Sequence, residues 1–97
     1  MAVRVDWDEN KNRANIGKHG IAFAAVEPVF GDPLSLTIPD RVVDGEHRYR
    51  TIGMALNGVV LVAHTLHEIS GGDELVRIIS ARYATSAERR AYEEGEY

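Results

Sequence analysis

The sequence predicts an α+β fold: an antiparallel sheet with two N-terminal helices on one face and a C-terminal helix. Apolar and polar residues alternate in segments 3–7 and 34–38, as in strands that have one buried face. Asn57-Gly58 separates two further apolar runs, which is a strong signal for a β-hairpin. After a β-branched segment that begins at Val76, Thr85-x-x-Glu88 has the pattern of a capping box. Short turns between consecutive strands favour antiparallel pairing.

Length and composition predict one domain that spans residues 1–97. No stretch approaches the roughly 18 apolar residues of a membrane span, and the N-terminal segment lacks the apolar region of a signal peptide. The chain contains no cysteine, which excludes disulfides and thiolate chemistry. We therefore expect a soluble, cytoplasmic protein that does not associate with membranes.

The charge distribution is uneven along the chain. The net charge is −4, which provides no general attraction for nucleic acids. Segment 41–84, however, contains five arginines and no lysine, and its own net charge is zero. Any contact with RNA is therefore expected at a local cluster of arginines.

The N-terminal third of the chain predicts one strand and two helices. The alternation in segment 3–7 indicates a short strand, and Asp8 is a suitable N-cap for a helix that extends to about Lys18. Apolar residues in segment 22–30 have the spacing of a second short helix. Pro28 predicts that this second helix bends or starts late, because proline removes a backbone hydrogen bond.

The remainder predicts four strands and a final helix. Each strand is an alternating or β-branched run, and each connection is rich in glycine, proline or polar residues. In order, we expect a strand over 34–38, a loop over 39–46, strands over 48–56 and 59–67, a turn over 70–73, a strand that begins at 76, a helix over 86–94, and a frayed end over 95–97.

The hairpin register predicts a polar corner. A two-residue turn at Asn57-Gly58 pairs residues whose numbers sum to 115, and paired residues point to the same face. One face then becomes polar away from the turn. The residues expected at this corner are Glu46, Arg48, Arg50, Thr65 and His67. The corner is either a solvated face with one ion pair or a phosphate-handling site with a base, an acid and cations.

Three other residues have less certain positions. His64 lies on the opposite face from His67, which argues against a pair of metal ligands and favours a packed histidine. Arg77 and Arg82 have opposite parity along their strand. They share a face only if the strand bulges or ends near Ser80–Arg82, which the pattern leaves open.

Several blocks of residues together resemble the BrnT family, the toxins of type II toxin–antitoxin pairs. The resemblance covers residues 7–92, with the blocks in the order found in that family. The blocks are Trp7-Asp8-x-x-Lys11-x-x-x-Asn15-x-x-Lys18-His19-Gly20-Ile21-x-Phe23, Val29-Phe30-x-Asp32-Pro33, Gly45-Glu46-x-Arg48-x-x-x-Ile52-Gly53, and Arg77-Ile78-Ile79-Ser80-Ala81-Arg82-x-Ala84 followed by Glu88, Arg89 and Tyr92.

The resemblance implies a RelE-like fold and a ribonuclease that cleaves mRNA without a metal ion or cofactor. It also implies a cognate BrnA-like antitoxin with a ribbon-helix-helix domain. In such pairs the antitoxin covers the toxin, and the complex binds operator DNA through the antitoxin.

A cleavage mechanism then assigns roles to individual residues. We expect Arg77 and Arg82 on the phosphate with Arg48 beside them, since guanidinium groups suit phosphate. Glu46 would act as the base or orient Arg48, and His67 would act as the acid. The further RNA-binding residues we expect are Lys18, His19 and Arg50.

Two other functions remain open at this point. The sheet face could serve only to dock a partner, so that the protein acts as a non-enzymatic module of a DNA-bound repressor. Alternatively, the chain could be a toxin scaffold that has lost its activity. RNA cleavage by the isolated protein distinguishes both from the nuclease hypothesis.

Overall fold

The computed structural model describes residues 2–97, which form one five-stranded sheet with helices packed against it. The elements are β1 (Val3–Trp7), α1 (Glu9–His19), α2 (Phe23–Val26), a 3₁₀ turn (Glu27–Gly31), β2 (Leu36–Val43), β3 (Glu46–Ala55), β4 (Gly58–Glu68), a second 3₁₀ turn (Ser70–Gly72), β5 (Glu74–Tyr83) and α3 (Ser86–Glu94). The strand order is β1-β5-β4-β3-β2. Within residues 2–97, no helix has the length and apolar character that a membrane span requires.

The sheet is mixed, so the prediction of a purely antiparallel sheet is wrong for one strand. β1 runs parallel to β5, and Val5 pairs with Val76 while Trp7 pairs with Ile78. The helices between β1 and β2 carry the chain across the sheet, so β1 and β2 occupy opposite edges. Alternation within β1 is the same for parallel and antiparallel pairing, so it does not reveal the direction of the strand.

The β3–β4 hairpin forms, but its register differs from the predicted one by two residues. Ala55 pairs with Gly58, so Leu56 and Asn57 form the turn. Gly58 begins β4 with a φ of 139°, a conformation that favours glycine. The observed register pairs buried Ile52 with buried Leu61. Because the shift is even, every side chain stays on the face that the sequence predicted.

β2 is longer than predicted, and the predicted loop over 39–46 is wrong for most of its length. The strand starts at Leu36 and continues to Val43, with an irregular register between Pro39 and Val42. A proline is tolerated here because β2 is an edge strand and its outward N–H position needs no partner. The bend predicted at Pro28 is confirmed, since α2 ends at Val26 and a 3₁₀ turn follows.

The core lies between one face of the sheet and the segment that includes α2 and the 3₁₀ turn after it. Polar α1 is attached to this layer through two buried asparagines. Asn12 Oδ1 accepts a hydrogen bond from Phe23 N at 2.8 Å. Asn15 Nδ2 donates to Ala81 O, and Asn15 Oδ1 accepts from Ala81 N. The buried apolar residues of the core cluster are Ile21, Phe23, Val26, Val29, Ala55, Val60, Val62, Val76, Ile78 and Ala81.

His64 is a packed, hydrogen-bonded core residue, as predicted. It is 1% exposed, and its ring lies edge-on to Phe30. His64 Nδ1 is 3.2 Å from Thr65 O, and a carbonyl can only accept, so Nδ1 carries the proton. His64 Nε2 therefore accepts from the Thr51 hydroxyl at 2.7 Å, which in turn lies 2.7 Å from the Thr37 hydroxyl.

The C-terminal helix starts as predicted but ends differently. Thr85 and Glu88 form the complete capping box of α3. The prediction that residues 95–97 fray is wrong, because Glu96 N donates to Ala91 O and Gly95 N donates to Tyr92 O. This pair of bonds is a Schellman motif, which holds the chain past the helix end.

Candidate active site

A β-bulge in β5 decides which face carries the arginines. Ala63 pairs with Ser80 but His64 pairs with Ile78, so Ile79 is the additional residue. Beyond this bulge the alternation of β5 reverses. Arg77 then pairs with Thr65, Arg82 pairs with Leu61, and both side chains lie on the face of Arg48 and Arg50. The sequence left open whether Arg77 and Arg82 share a face, and the bulge places them on the same one. We call this side of the sheet the arginine face.

A continuous polar row crosses four strands of this face. Thr65 of β4 pairs with Arg48 of β3 on one side and with Arg77 of β5 on the other. Arg77 in turn pairs with Asp6 of β1. Directly opposed residues in a sheet have close side chains. The row therefore places one cation on each side of a threonine hydroxyl.

The predicted corner forms at the Arg48 end of this row. Glu46 Oε2 lies 3.7 Å from His67 Nε2, and Glu46 Oε1 lies 4.0 Å from Arg48 Nε. A carboxylate, an imidazole and a guanidinium therefore adjoin each other. The side chains of Glu46 and His67 are 42% and 44% exposed, so both are accessible from solvent.

Arg77 is paired with a carboxylate that the sequence analysis did not include. Arg77 Nε and Nη2 donate to Asp6 at 3.0 and 3.2 Å. The Asp6 carboxylate, followed by the more distant Glu46, raises the pKa of Arg77 above its ordinary value. The Asp6 pair uses two of the five N–H groups of Arg77, which leaves three for a phosphate.

Arg82 is engaged more deeply in the fold. It donates to both oxygens of Glu88 at 2.8 and 3.0 Å and also to Tyr83 O. The Arg82 guanidinium holds the pKa of Glu88 at about 2, below its usual 4.5, although partial burial acts in the opposite direction. Arg82 therefore connects the end of β5 to the first turn of α3.

Arg48, Arg50 and Thr65 share an unusual property. Within residues 2–97, the Nε atoms of both arginines and the Oγ1 atom of Thr65 are buried without a hydrogen-bond partner. Arg50 Nε is 3.9 Å from Asp40 Oδ1, too far for a hydrogen bond. Buried polar groups are normally satisfied, and leaving one unpaired costs about 1–3 kcal/mol. All three atoms lie beneath the surface of the arginine face.

The C-terminal tail adds an aromatic ring to the arginine face. The Tyr97 ring centroid is 5.8 Å from Arg50 Cζ, within the range of a cation–π contact. The sequence did not indicate that Tyr97 and Asp6 belong to this face. Tyr97 approaches Arg50 because of the Schellman motif, and Asp6 approaches Arg77 because β1 pairs in parallel with β5. Thr65 was assigned to the corner from hairpin alternation, but the pattern provided no sign of its unpaired hydroxyl.

Lys18 and His19 lie apart from the corner. Together with Lys11 they line a cavity of 310 Å³ between α1 and β5. The other predicted RNA-binding residue, Arg50, is on the arginine face next to Arg48. Within residues 2–97, no group of three His, Cys, Asp or Glu side chains could hold a metal ion.

A comparison with known families identifies one family that matches most of this chain. The family model described as "Ribonuclease toxin, BrnT, of type II toxin-antitoxin system" matches residues 7–88. The matched segment contains the whole polar row except its most N-terminal member, Asp6. A search of curated proteins found no match.

Proposed function

This chain belongs to the BrnT family of ribonuclease toxins of type II toxin–antitoxin systems, and we propose that its arginine face cleaves mRNA without a metal ion. In this mechanism, the RNA's own 2′-hydroxyl attacks the adjacent phosphorus, and the bond from phosphorus to the 5′-oxygen breaks. The products are a 2′,3′-cyclic phosphate and a free 5′-hydroxyl. No water or external nucleophile is consumed.

The proposed roles follow from the positions of the side chains. Glu46 accepts the proton of the 2′-hydroxyl, and His67 donates a proton to the departing 5′-oxygen. Each proton transfer contributes about 10²–10⁴-fold to the rate. The Glu46 and His67 side chains are 3.7 Å apart, which leaves no room for a phosphodiester between them. We therefore propose that the scissile phosphodiester enters beside this pair and separates the two side chains.

The cations stabilise the charge that develops on the phosphorane-like transition state. Arg48 and Arg77 flank the phosphate from the two neighbours of Thr65 in the polar row. Arg50 supports the same charge from the next cross-strand row. Such preorganised donors are worth about 10²–10³-fold each. The corner formed by Glu46, Arg48 and His67 is the observation on which this proposal mainly rests.

Arg82 keeps its place among the proposed catalytic residues, although its pair with Glu88 gives it a structural role as well. Of its five N–H groups, the Glu88 and Tyr83 contacts use three, which leaves two for RNA. Substituting Arg82 is therefore expected to reduce both activity and stability. Arg48 and Arg77 provide the cleaner tests of catalysis.

The assay that tests the mechanism uses purified protein and a labelled RNA in the presence of EDTA. We expect cleavage, with cyclic phosphate at the new 3′ end, and no cleavage of the same RNA with 2′-O-methyl groups throughout. Glu46→Gln should abolish most of the activity, whereas Arg41→Gln, at an exposed arginine of β2, should not. Cleavage that EDTA stops and Mg²⁺ restores would contradict the proposal.

The family also implies an antitoxin partner. We propose that this partner is BrnA-like, with a ribbon-helix-helix domain, and that the pair contacts operator DNA through the antitoxin. We further propose a single RelE-like domain that acts in the cytoplasm, where mRNA is accessible. The order of the elements and the mixed sheet support this assignment.

A second candidate function is a non-enzymatic partner-binding module. The carboxylate pairs of Arg77 and Arg82 favour it, because paired cations are less available to a phosphate. In that case the isolated protein would leave RNA intact under all metal conditions and would still bind its antitoxin. The EDTA assay, repeated with Mg²⁺ added, separates the two functions.

A further inference from the structure

The cavity between α1 and β5 has two lysines, a histidine and two small polar residues in its lining. It measures 310 Å³, and both lysines of the chain contribute to it. No aspartate or glutamate is among the residues that line it. Its lining residues are Lys11, Ala14, Asn15, Lys18 and His19 from α1 with Ile79 and Ser80 from β5.

The end of β1 creates this cavity. β1 pairs with β5 only as far as Ile78, so the outer edge of β5 has no neighbouring strand beyond that residue. Asn15 replaces the missing strand by bonding both the N–H and the C=O of Ala81. Lys11, Asn15 and Lys18 are spaced by four and three residues, so all three lie on one face of α1. The two hydrogen bonds of Asn15 therefore orient this face of α1, with both lysines, toward the open edge of β5.

The cations of this cavity are available to a ligand. Among residues 2–97, Lys11, Lys18 and His19 form no ion pair, in contrast to Arg77 and Arg82. The negative end of the α1 dipole accounts for two cations in its last turn. It does not account for Lys11, which lies two turns earlier.

Among the residues that line the cavity, Ser80 also belongs to the arginine face. Ser80 pairs with Ala63, which pairs with Arg50, so Ser80 belongs to the cross-strand row next to Arg77. The β4 partners of Arg77 and Ser80 are Thr65 and Ala63, two residues apart, so at about 3.4 Å per residue Ser80 lies roughly 7 Å along the sheet from Arg77. An extended RNA strand whose scissile phosphate lies at Arg77 can therefore pass Ser80 and enter the cavity.

From these observations, we infer that the cavity formed by Lys11, Lys18, His19 and Ser80 binds a second backbone phosphate of the RNA, next to the cleaved one. The inference rests on the proposed nuclease function and extends it. The contact is electrostatic and independent of base identity, since lysine interacts with phosphate as a point charge. It orients the strand and makes longer substrates better than very short ones.

The test is the salt dependence of RNA binding. A fluorescent, fully 2′-O-methylated RNA, which cannot be cleaved, is titrated with the full-length protein at several salt concentrations. The double variant Lys11→Gln/Lys18→Gln should reduce the slope of log K against log salt by about 0.7, because the cavity binds one phosphate and each single-strand phosphate contributes about 0.7. Lys11→Arg/Lys18→Arg should retain the slope, because it preserves both charges.

The control is Arg13→Gln, which removes an exposed cation of the same helix that is paired with Glu9. It should leave the slope unchanged. A wild-type slope in the folded Lys11→Gln/Lys18→Gln variant would overturn the inference, and so would a loss of antitoxin binding without any change in RNA binding. The measurement needs no cleavage, so failure of the nuclease proposal would be visible separately, as intact RNA in the EDTA assay.

A kinetic measurement provides a second check. For the wild type, extending a dinucleotide substrate by several nucleotides should raise kcat/KM. In Lys11→Gln/Lys18→Gln most of that gain should disappear, because the added phosphates lose their partner. An equal gain in the variant and the wild type would place the second phosphate elsewhere.

Discussion

Thr65 illustrates how much of this site depends on single residues. It is 1% exposed, lies in the middle of β4, and its hydroxyl has no partner among residues 2–97. Its cross-strand neighbours are Arg48 and Arg77, so the unsatisfied hydroxyl lies between two guanidinium groups. A stable fold normally avoids such an arrangement. We therefore expect the energetics of this position to depend on the two arginines that flank it.

At the residue scale, Arg48→Gln should separate activity from stability. We expect RNA cleavage to fall by about 10²–10³-fold, because a charge near the transition state is lost. The free energy of unfolding should change by less than about 1 kcal/mol, since Arg48 Nε makes no hydrogen bond. Cleavage kinetics and urea denaturation measure the two effects. Full activity, or a loss of activity that matches unfolding, would argue against a catalytic role.

At the scale of elements, the site depends on where strands stop or bulge. The bulge at Ile79 brings Arg77 and Arg82 to one face, and the end of β1 opens the edge of β5. On the core side, β3 approaches the first 3₁₀ turn so closely that only glycine fits at position 53. A Cβ atom there would lie 2.8 Å from Val29 Cγ1 and 3.2 Å from Ser35 Cβ. These contacts hold β3 close to the turn, and β3 carries Glu46 and Arg48.

Gly53→Ala should therefore destabilise the protein by about 1–3 kcal/mol, because the added methyl group overpacks the interface between β3 and the turn. Gly31→Ala is the matched control, since its Cβ would have no atom within 4 Å. Denaturant unfolding of both variants gives the comparison. If the two substitutions had equal effects, the close approach of Val29 would not be rigid.

At the scale of the whole molecule, two groups on opposite faces contribute to the dependence of stability on pH. Burial lowers the pKa of His64 below its ordinary value of 6.5. The unfolded chain therefore binds a proton that the folded protein does not, and stability falls as the pH drops below about 6.5. Glu88 acts at lower pH, because its hydrogen bonds with Arg82 lower its pKa from 4.5 to about 2. That stabilisation is complete above pH 4.5 and is lost between pH 4.5 and about 2.

We expect Glu88→Gln to make the loss of stability between pH 4.5 and 2 shallower, by about 1–2 kcal/mol after allowance for the partly exposed guanidinium. Glu93→Gln, at an exposed position of the same helix, should follow the wild type. Chemical denaturation at pH 7.5, 5.5 and 2.5 measures both windows. Parallel curves for Glu88→Gln and the wild type would show that the pair with Arg82 contributes little.

Local sequence patterns were sufficient to predict the order of helices and strands and the face on which each side chain of the β3–β4 hairpin lies. Alternation placed Glu46, Arg48 and His67 together, and an even error in register left that grouping intact. The capping box of Thr85 and Glu88 predicted the start of α3, because its bonds join residues three positions apart. These features depend on neighbours in the chain, and neighbours are what a sequence displays.

The tertiary structure alone decided the partners of the arginines and the direction of β1. The bulge at Ile79 arises from pairing between β4 and β5, and the Arg77–Asp6 pair arises from the parallel contact of β1 with β5. Asp6 and Arg77 are 71 positions apart, and no local pattern encodes such a pairing. The sequence therefore predicted which types of residue lie on the arginine face, but the arrangement of those residues depended on contacts between distant segments.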